Sequence, residues 1–152
     1  DKGTVFHIFL PVTRIDALPQ KAKDELIVQG SGTILVVDDE DIIRATASLL
    51  LENLGYTVLL ATNGEEAVDI YQQHQKEIDL VILDMVMPVM DGSKALVRLL
   101  EVNPEVKVIL SSGYTRNVKI AELEKQGLAG SITKPFTQLE LSKLIAEVLT
   151  ER

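Results

Sequence analysis

From Thr33 onward the chain keeps a strict alternation in which each short aliphatic run is followed by a stretch long enough for a helix. The runs are Thr33–Val37, Thr57–Leu60, Leu80–Leu83, Lys107–Leu110 and the weaker Ser131–Thr133. Continuous aliphatic runs suit strands covered on both faces, and such strands belong to parallel sheets. The stretches between and after them are Asp41–Leu54, Glu65–Gln75, Ser93–Val102, Arg116–Lys125 and Gln138–Thr150. In the first of these, Ile42, Ala45, Leu49 and the set Leu50, Leu51 and Leu54 read as one broad apolar face, with Gly55 where a helix C-terminal cap belongs. In the last, Leu141, Leu144, Ile145, Val148 and Leu149 make a similar face. Such alternation predicts an α/β fold: a five-stranded parallel sheet, open and doubly wound.

The residues before Gly32 have a different texture. Gly3–Pro11 alternates and is rich in β-branched and aromatic residues, which predicts a strand stopped by proline. Val12–Gly32 is polar and mixed, contains Pro19 and closes on Gly30-Ser31-Gly32, so it reads as a linker. The chain starts at Asp1 without Met and is read as an excerpt of a longer protein.

Charge and composition exclude several functions. With 15 Lys+Arg against 23 Asp+Glu the net charge is −8, and no basic stripe reverses it locally. Nucleic-acid binding is therefore not expected, nor is direct contact with an anionic membrane surface. There is no cysteine, which removes disulfides, thiolate nucleophiles and sulfur-ligated metals and fits a reducing compartment. No apolar run approaches the roughly 20 residues of a membrane helix.

In a doubly wound sheet the ligand crevice lies beyond the carboxyl ends of the strands. Here the first strand leads into Asp38-Asp39-Glu40, the third into Asp84, the fourth into Ser111-Ser112 and the fifth into Lys134-Pro135. Carboxylates so close together repel unless they share a proton or a cation. An all-oxygen set without His or Cys points to a hard metal, Mg²⁺ before Ca²⁺, and Mg²⁺ joins readily to phosphate oxygens. A lysine and a hydroxyl beside it can hold the remaining oxygens of a phosphoryl group. The constellation suggests phosphoryl transfer onto a carboxylate.

The blocks Ile34-Leu35-Val36-Val37-Asp38-Asp39-Glu40, Asp84-Met85-Val86-Met87-Pro88-Val89-Met90-Asp91-Gly92, Ser111-Ser112-Gly113-Tyr114 and Lys134-Pro135-Phe136 resemble the response-regulator receiver domain of two-component signalling. The resemblance covers residues 33–152 and implies a flavodoxin-like (βα)5 fold. It implies that Asp84 is the phosphoryl acceptor, with Lys134 pairing first with the acceptor and then with the phosphoryl group. It further implies that Asp38, Asp39, Asp84 and the backbone carbonyl of Val86 hold Mg²⁺. Ser111 and Ser112 are ambiguous from sequence, and the resemblance favours Ser111 as the switch hydroxyl. A cis peptide is implied at Lys134-Pro135. Where many family members have an aromatic switch residue this chain has Ser131, which leaves Tyr114 as the nearby substitute. Val86 and Gly113 occupy positions that tune loss of phosphate in the family, and neither offers a polar side chain to hold water, so a long-lived phosphoryl group is expected.

Gly3–Pro11 resembles the last strand of the ATP-binding domain of histidine kinases, with its Gly-Thr-x-Phe-x-Ile-x-Leu-Pro string. The expected organisation is a kinase-domain remnant at residues 1–11, a linker at 12–32 and a receiver at 33–152, from the C-terminal end of a hybrid sensor histidine kinase. The nucleotide-binding motifs and phosphorylatable histidine box of such a kinase are absent from the sequence, so this chain is expected to accept phosphate and not to act as a kinase by itself. The implied partners are a histidine-kinase core or a phosphotransfer domain. The unpaired edge of the opening strand offers a route to a homodimer. A cytoplasmic location is expected, under a parent that the membrane can anchor. The competing reading is a protein-binding module of the same fold that never becomes phosphorylated.

Overall fold

The structure, a computed structural model, describes residues 3–7, 26–113 and 118–150. Five strands and five helices alternate: β1 (Thr33–Val37), α1 (Asp41–Asn53), β2 (Thr57–Ala61), α2 (Gly64–His74), β3 (Ile78–Asp84), α3 (Gly92–Val102), β4 (Val108–Ser112), α4 (Val118–Lys125), β5 (Gly130–Thr133) and α5 (Gln138–Thr150). The strands form one sheet in the order β2-β1-β3-β4-β5, with every neighbouring pair parallel. This is the expected doubly wound fold, and each aliphatic run forms its strand. Strands β3 and β4 run past their aliphatic cores, so Asp84, Ser111 and Ser112 are still held in the sheet.

The two faces of the sheet carry separate cores. Ile34, Val36, Leu80, Ile82 and Ile109 meet Ala47 and Leu51 of α1 and Leu141, Ile145 and Val148 of α5. Leu35, Val37, Val81, Leu83, Val108 and Leu110 face the other way, toward α2, α3 and α4. Alternate residues of every central strand are thus buried on opposite sides, as continuous aliphatic runs require.

Local signals set the helix ends. The Asn63 side chain accepts from the N–H groups of Glu65 and Glu66, and Asp91 accepts from that of Lys94. Thr137 and Glu140 cap the start of α5 reciprocally: Glu140 Oε2 accepts from the Thr137 N–H, and Thr137 Oγ1 accepts from the Glu140 N–H. Gly55 follows α1 with φ +97°, the left-handed backbone expected of a residue just past a helix end.

Two expectations are corrected. The buried stripe of α1 is Ala47, Leu51 and Leu54, whereas Ile42, Ala45 and Leu49 are exposed. Leu49, Leu50 and Leu51 spread over about 200° of the helix, so they cannot all face the sheet. The opening strand is not seen either: residues 3–7 carry no strand, and Val5 and Phe6 are exposed. An edge-poor segment needs a neighbouring strand, and the sheet is complete from β1 to β5 without it. The rest of that predicted strand, Tyr114 and the first two residues predicted for the fourth helix lie outside the described residues. So does most of the expected linker.

Candidate functional site

The period of two along each strand decides which polar residues meet. Val36, Ile82, Ile109 and Ile132 all belong to the α1–α5 side of the sheet. Two residues on from each stand Asp38, Asp84, Ser111 and Lys134, which the pleat carries to the same side at the carboxyl ends of the strands. Asp84 is in register with Ser111 on the neighbouring strand. Ser112 belongs to the opposite side, in sequence with Leu110. Register thus pairs Ser111, not Ser112, with Asp84, a distinction the sequence alone leaves open.

Lys134 is the hub. Its Nζ donates to Asp84 Oδ1 at 2.6 Å and also to Asp38 Oδ2. Each carboxylate uses its other oxygen on backbone: Asp38 Oδ1 accepts from the Glu40 N–H at 3.0 Å, and Asp84 Oδ2 accepts from the Val86 N–H at 3.1 Å. Asp38, Asp84 and Ser111 are buried, while Asp39 is exposed at the rim. Burial pushes the Asp84 carboxyl above its ordinary range; the hydrogen bond and charge of Lys134 pull it down, and the Asp38 charge pushes it up. Burial works against the Lys134 ammonium, but its hydrogen bonds to Asp38 and Asp84 outweigh that and raise its pKa.

The loop after β3 is shaped around the Asp84 end of the strand. A Cβ on Gly92 would stand 2.3 Å from the backbone oxygen of Asp84, so α3 starts directly against the end of β3. Met87 is buried, and Met85 and Met90 pack on the same core. The Lys134-Pro135 peptide is cis, as the sequence motif implied. Ser131 is exposed on β5 and brings no ring to the site.

The donor set is entirely oxygen, and three carboxylates against one ammonium leave the rim negative. That chemistry fits a hard divalent cation, with Asp38 and Asp84 close together and Asp39 next to them in the chain. The side chains do not form a ready-made cage, since no group of three or more His, Asp or Glu is arranged for a metal among the described residues.

Some contributors are invisible in the sequence pattern: the Glu40 and Val86 amides that orient the carboxylates, and a groove beside Lys134. That groove, of about 370 Å³, is lined by Glu40, Ile43, Ala47, Leu50, Pro135 and Phe136 among others. Only the Pro135 and Phe136 of the lysine motif hinted at it.

Comparison with known proteins agrees with this geometry. Residues 34–146 match the response regulator receiver domain family, and the chain belongs to that family. It is 36% identical over 160 residues to the sensor kinase CckA of Brucella abortus, a match covering 99% of this chain and 17% of that protein. The chain therefore spans less than a fifth of that relative. A solved receiver domain from the hybrid histidine kinase CckA is 34% identical with a TM-score of 0.66, covering 78% of this chain and all of that one. The CheX–CheY–BeF3–Mg²⁺ complex from Borrelia burgdorferi contains a chain 27% identical, with a TM-score of 0.76, covering 79% of this chain and 90% of that one. The protein is thus a receiver domain of two-component signal transduction, a module that accepts a phosphoryl group. Among the described residues no helix is long and apolar enough to cross a membrane.

Proposed function

We propose that Asp84 is the phosphoryl acceptor. The observation that carries this reading is the sharing of one ammonium, Lys134, between Asp84 and Asp38 at the carboxyl ends of the strands. An Oδ atom of Asp84 attacks the phosphorus of a phosphohistidine in line; the new O–P bond replaces the N–P bond, and the imidazole nitrogen leaves with the electron pair. Lys134 follows the charge from the carboxylate to the transferred group, and Ser111, in register beside Asp84, donates to one of its oxygens. Asp38, Asp39, Asp84 and the Val86 carbonyl would hold Mg²⁺, which supplies further neutralisation of the phosphoryl oxygens. The Mg²⁺ named in the Borrelia burgdorferi complex supports this assignment.

The donor in this reading is a protein: a histidine-kinase core or a phosphotransfer domain. The apolar groove that opens beside Lys134 offers a helix of such a donor a seat next to the acceptor. The match to a sensor kinase over 99% of the chain supports an origin in a hybrid kinase. It favours a kinase-domain remnant at 1–11, a linker at 12–32 and a receiver at 33–152, on the cytoplasmic side. The output is altered protein binding or onward relay, with nucleic acid disfavoured by the net charge of −8.

The test is intact mass after incubation with acetyl phosphate, with and without Mg²⁺, on wild type and Asp84→Ala. A phosphate-sized gain that needs both Mg²⁺ and Asp84 is expected. No gain in folded wild type, from acetyl phosphate or from a phosphorylated kinase, returns the chain to the class of binding-only modules.

A further inference from the structure

The turn between β1 and α1 carries four acids in a row, Asp38-Asp39-Glu40-Asp41. Asp38 is buried and shares Lys134 with Asp84. Asp39, Glu40 and Asp41 are exposed, and α1 starts without a side-chain cap from Glu40. The brace for this turn comes from one helical turn further on. Arg44 Nη1 donates to the backbone carbonyl of Asp38 at 2.6 Å, and Arg44 Nη2 donates to Asp41 Oδ1.

Arginine usually keeps its charged head in water. Here the Arg44 side chain is 11% exposed, against 92% for that of Asp41. An ion pair with so exposed a partner contributes little by itself, so the bond to Asp41 does not account for a covered guanidinium. The bond to the Asp38 carbonyl does. That oxygen belongs to the peptide joining Asp38 to Asp39, and because a peptide is planar, holding its oxygen orients the whole unit. Asp38 is thereby held at every polar group: its N–H donates to the Ala61 carbonyl at 3.2 Å, its carbonyl accepts from Arg44, and its carboxylate accepts from the Glu40 N–H and Lys134. The charge of Arg44 is engaged elsewhere. Asp41 takes one nitrogen, and Glu66 in the first turn of α2, whose carboxyl is lowered chiefly by its hydrogen bonds from Thr62, also feels the guanidinium. What Arg44 gives the acid pair is a fixed peptide more than a positive field.

We infer that Arg44 is a positioning residue for the cation site: its bond to the Asp38 carbonyl sets the peptide that carries Asp39 to the rim beside Asp38. Of the four acids, Asp38 and Asp39 are then presented together, while Asp41 is engaged by the guanidinium. A rigid planar fork serves both acceptors at once; the ammonium of a lysine, a compact charge on a flexible stem, does not reproduce it. This inference rests on the Mg²⁺ reading above.

The experiment titrates Mg²⁺ into the unphosphorylated chain by isothermal calorimetry at pH 7, for wild type, Arg44→Lys and Arg44→Met, and records thermal melting without the metal. The expected result is a rise of about tenfold in the Kd for Mg²⁺ in both variants, each keeping a cooperative transition. Arg44→Lys separates position from charge, because it keeps the charge and loses the fork. A lysine variant that binds like wild type, or a methionine variant that binds more tightly, shows that the charge alone matters and overturns the inference. A fall in melting temperature with unchanged Kd, the behaviour of an arginine that only stabilises the fold, overturns it too. Wild type that takes up no Mg²⁺ defeats the metal assignment itself and this inference with it. Should Arg44→Met lose its cooperative transition, Arg44→Gln decides on the same Kd criterion.

Discussion

Lys134 Nζ lies 2.6 Å from Asp84 Oδ1, although the strands that deliver these residues, β5 and β3, are separated by β4. The long lysine stem crosses that strand's end and reaches Asp38 on β1 as well. One ammonium thus offsets the repulsion of two buried carboxylates. Removing it leaves both charges unpaired, which costs about 3 kcal/mol at neutral pH. Lys134→Met is expected to lose that much in urea unfolding at pH 7 and to recover part of it in acid, where the carboxylates are neutral. Equal stability of the two chains at pH 7 would contradict the role given to the ammonium.

Asp84 shows the opposite effect. Its raised pKa means that the folded chain binds this proton more tightly than the unfolded chain. The contribution to stability is full below the unfolded pKa and is lost as pH rises through the folded one. At neutral pH the ionised group is therefore a burden, and Asp84→Asn should raise stability there. Thermal melting should shift upward at pH 7, and the gain should disappear in strong acid. A variant that melts lower at pH 7 refutes the assignment of the burden to Asp84.

Val89 has φ 66°, in the left-handed region, where a β-branched residue is disfavoured. The Met90 N–H donates to the Pro88 carbonyl at 2.7 Å and closes the tight turn around it. Asn tolerates this backbone better. Val89→Asn is expected to add about 1 kcal/mol in chemical denaturation. The measurement fails the expectation if the midpoint does not move or falls.

Gly92→Ala sets a methyl group against the backbone of Asp84, the proposed acceptor, 2.3 Å from its carbonyl oxygen. Backbone cannot swing aside as a flexible side chain does. The cost is expected to be about 2 kcal/mol, and displacement of Asp84 should slow labelling by acetyl phosphate at least tenfold. Normal labelling kinetics in a stable variant would show that α3 shifts without disturbing the site.

Val86 exposes an apolar side chain, and among the described residues nothing lies within 4 Å of the Cβ position of Gly113. Neither residue can hold a water against the acyl phosphate, so spontaneous loss should be slow, with a half-life of minutes or longer. Gly113→Asn introduces a polar group and should shorten it. Decay of labelled wild type within seconds, followed by intact mass, contradicts this.

Much of the architecture was legible because the buried strands are aliphatic without interruption, and because chemistry in a doubly wound sheet collects at the strand ends. Asp38, Asp84 and Lys134 could be found that way. The residues themselves left Ser111 and Ser112 open; the resemblance favoured Ser111, and register, a property of the paired strands, sets it beside Asp84. The orientation of α1 was misread because adjacent leucines point over more than one face of a helix. The hydrogen bonds of Val28 and Gly30 to Ser142 and Leu54 were not legible, since no periodicity announces a serine buried within α5.

The strand order has a consequence for when this protein becomes competent. Asp38 follows β1, Asp84 ends β3, Ser111 lies in β4 and Lys134 follows β5, so the site draws on almost the whole length of the sheet-forming sequence. A chain synthesised only through β4, or clipped before Lys134, holds the carboxylates without the cation that reconciles them. The ammonium shared by Asp38 and Asp84 thus exists only in a chain that extends through Lys134, the last of the four site residues to be made.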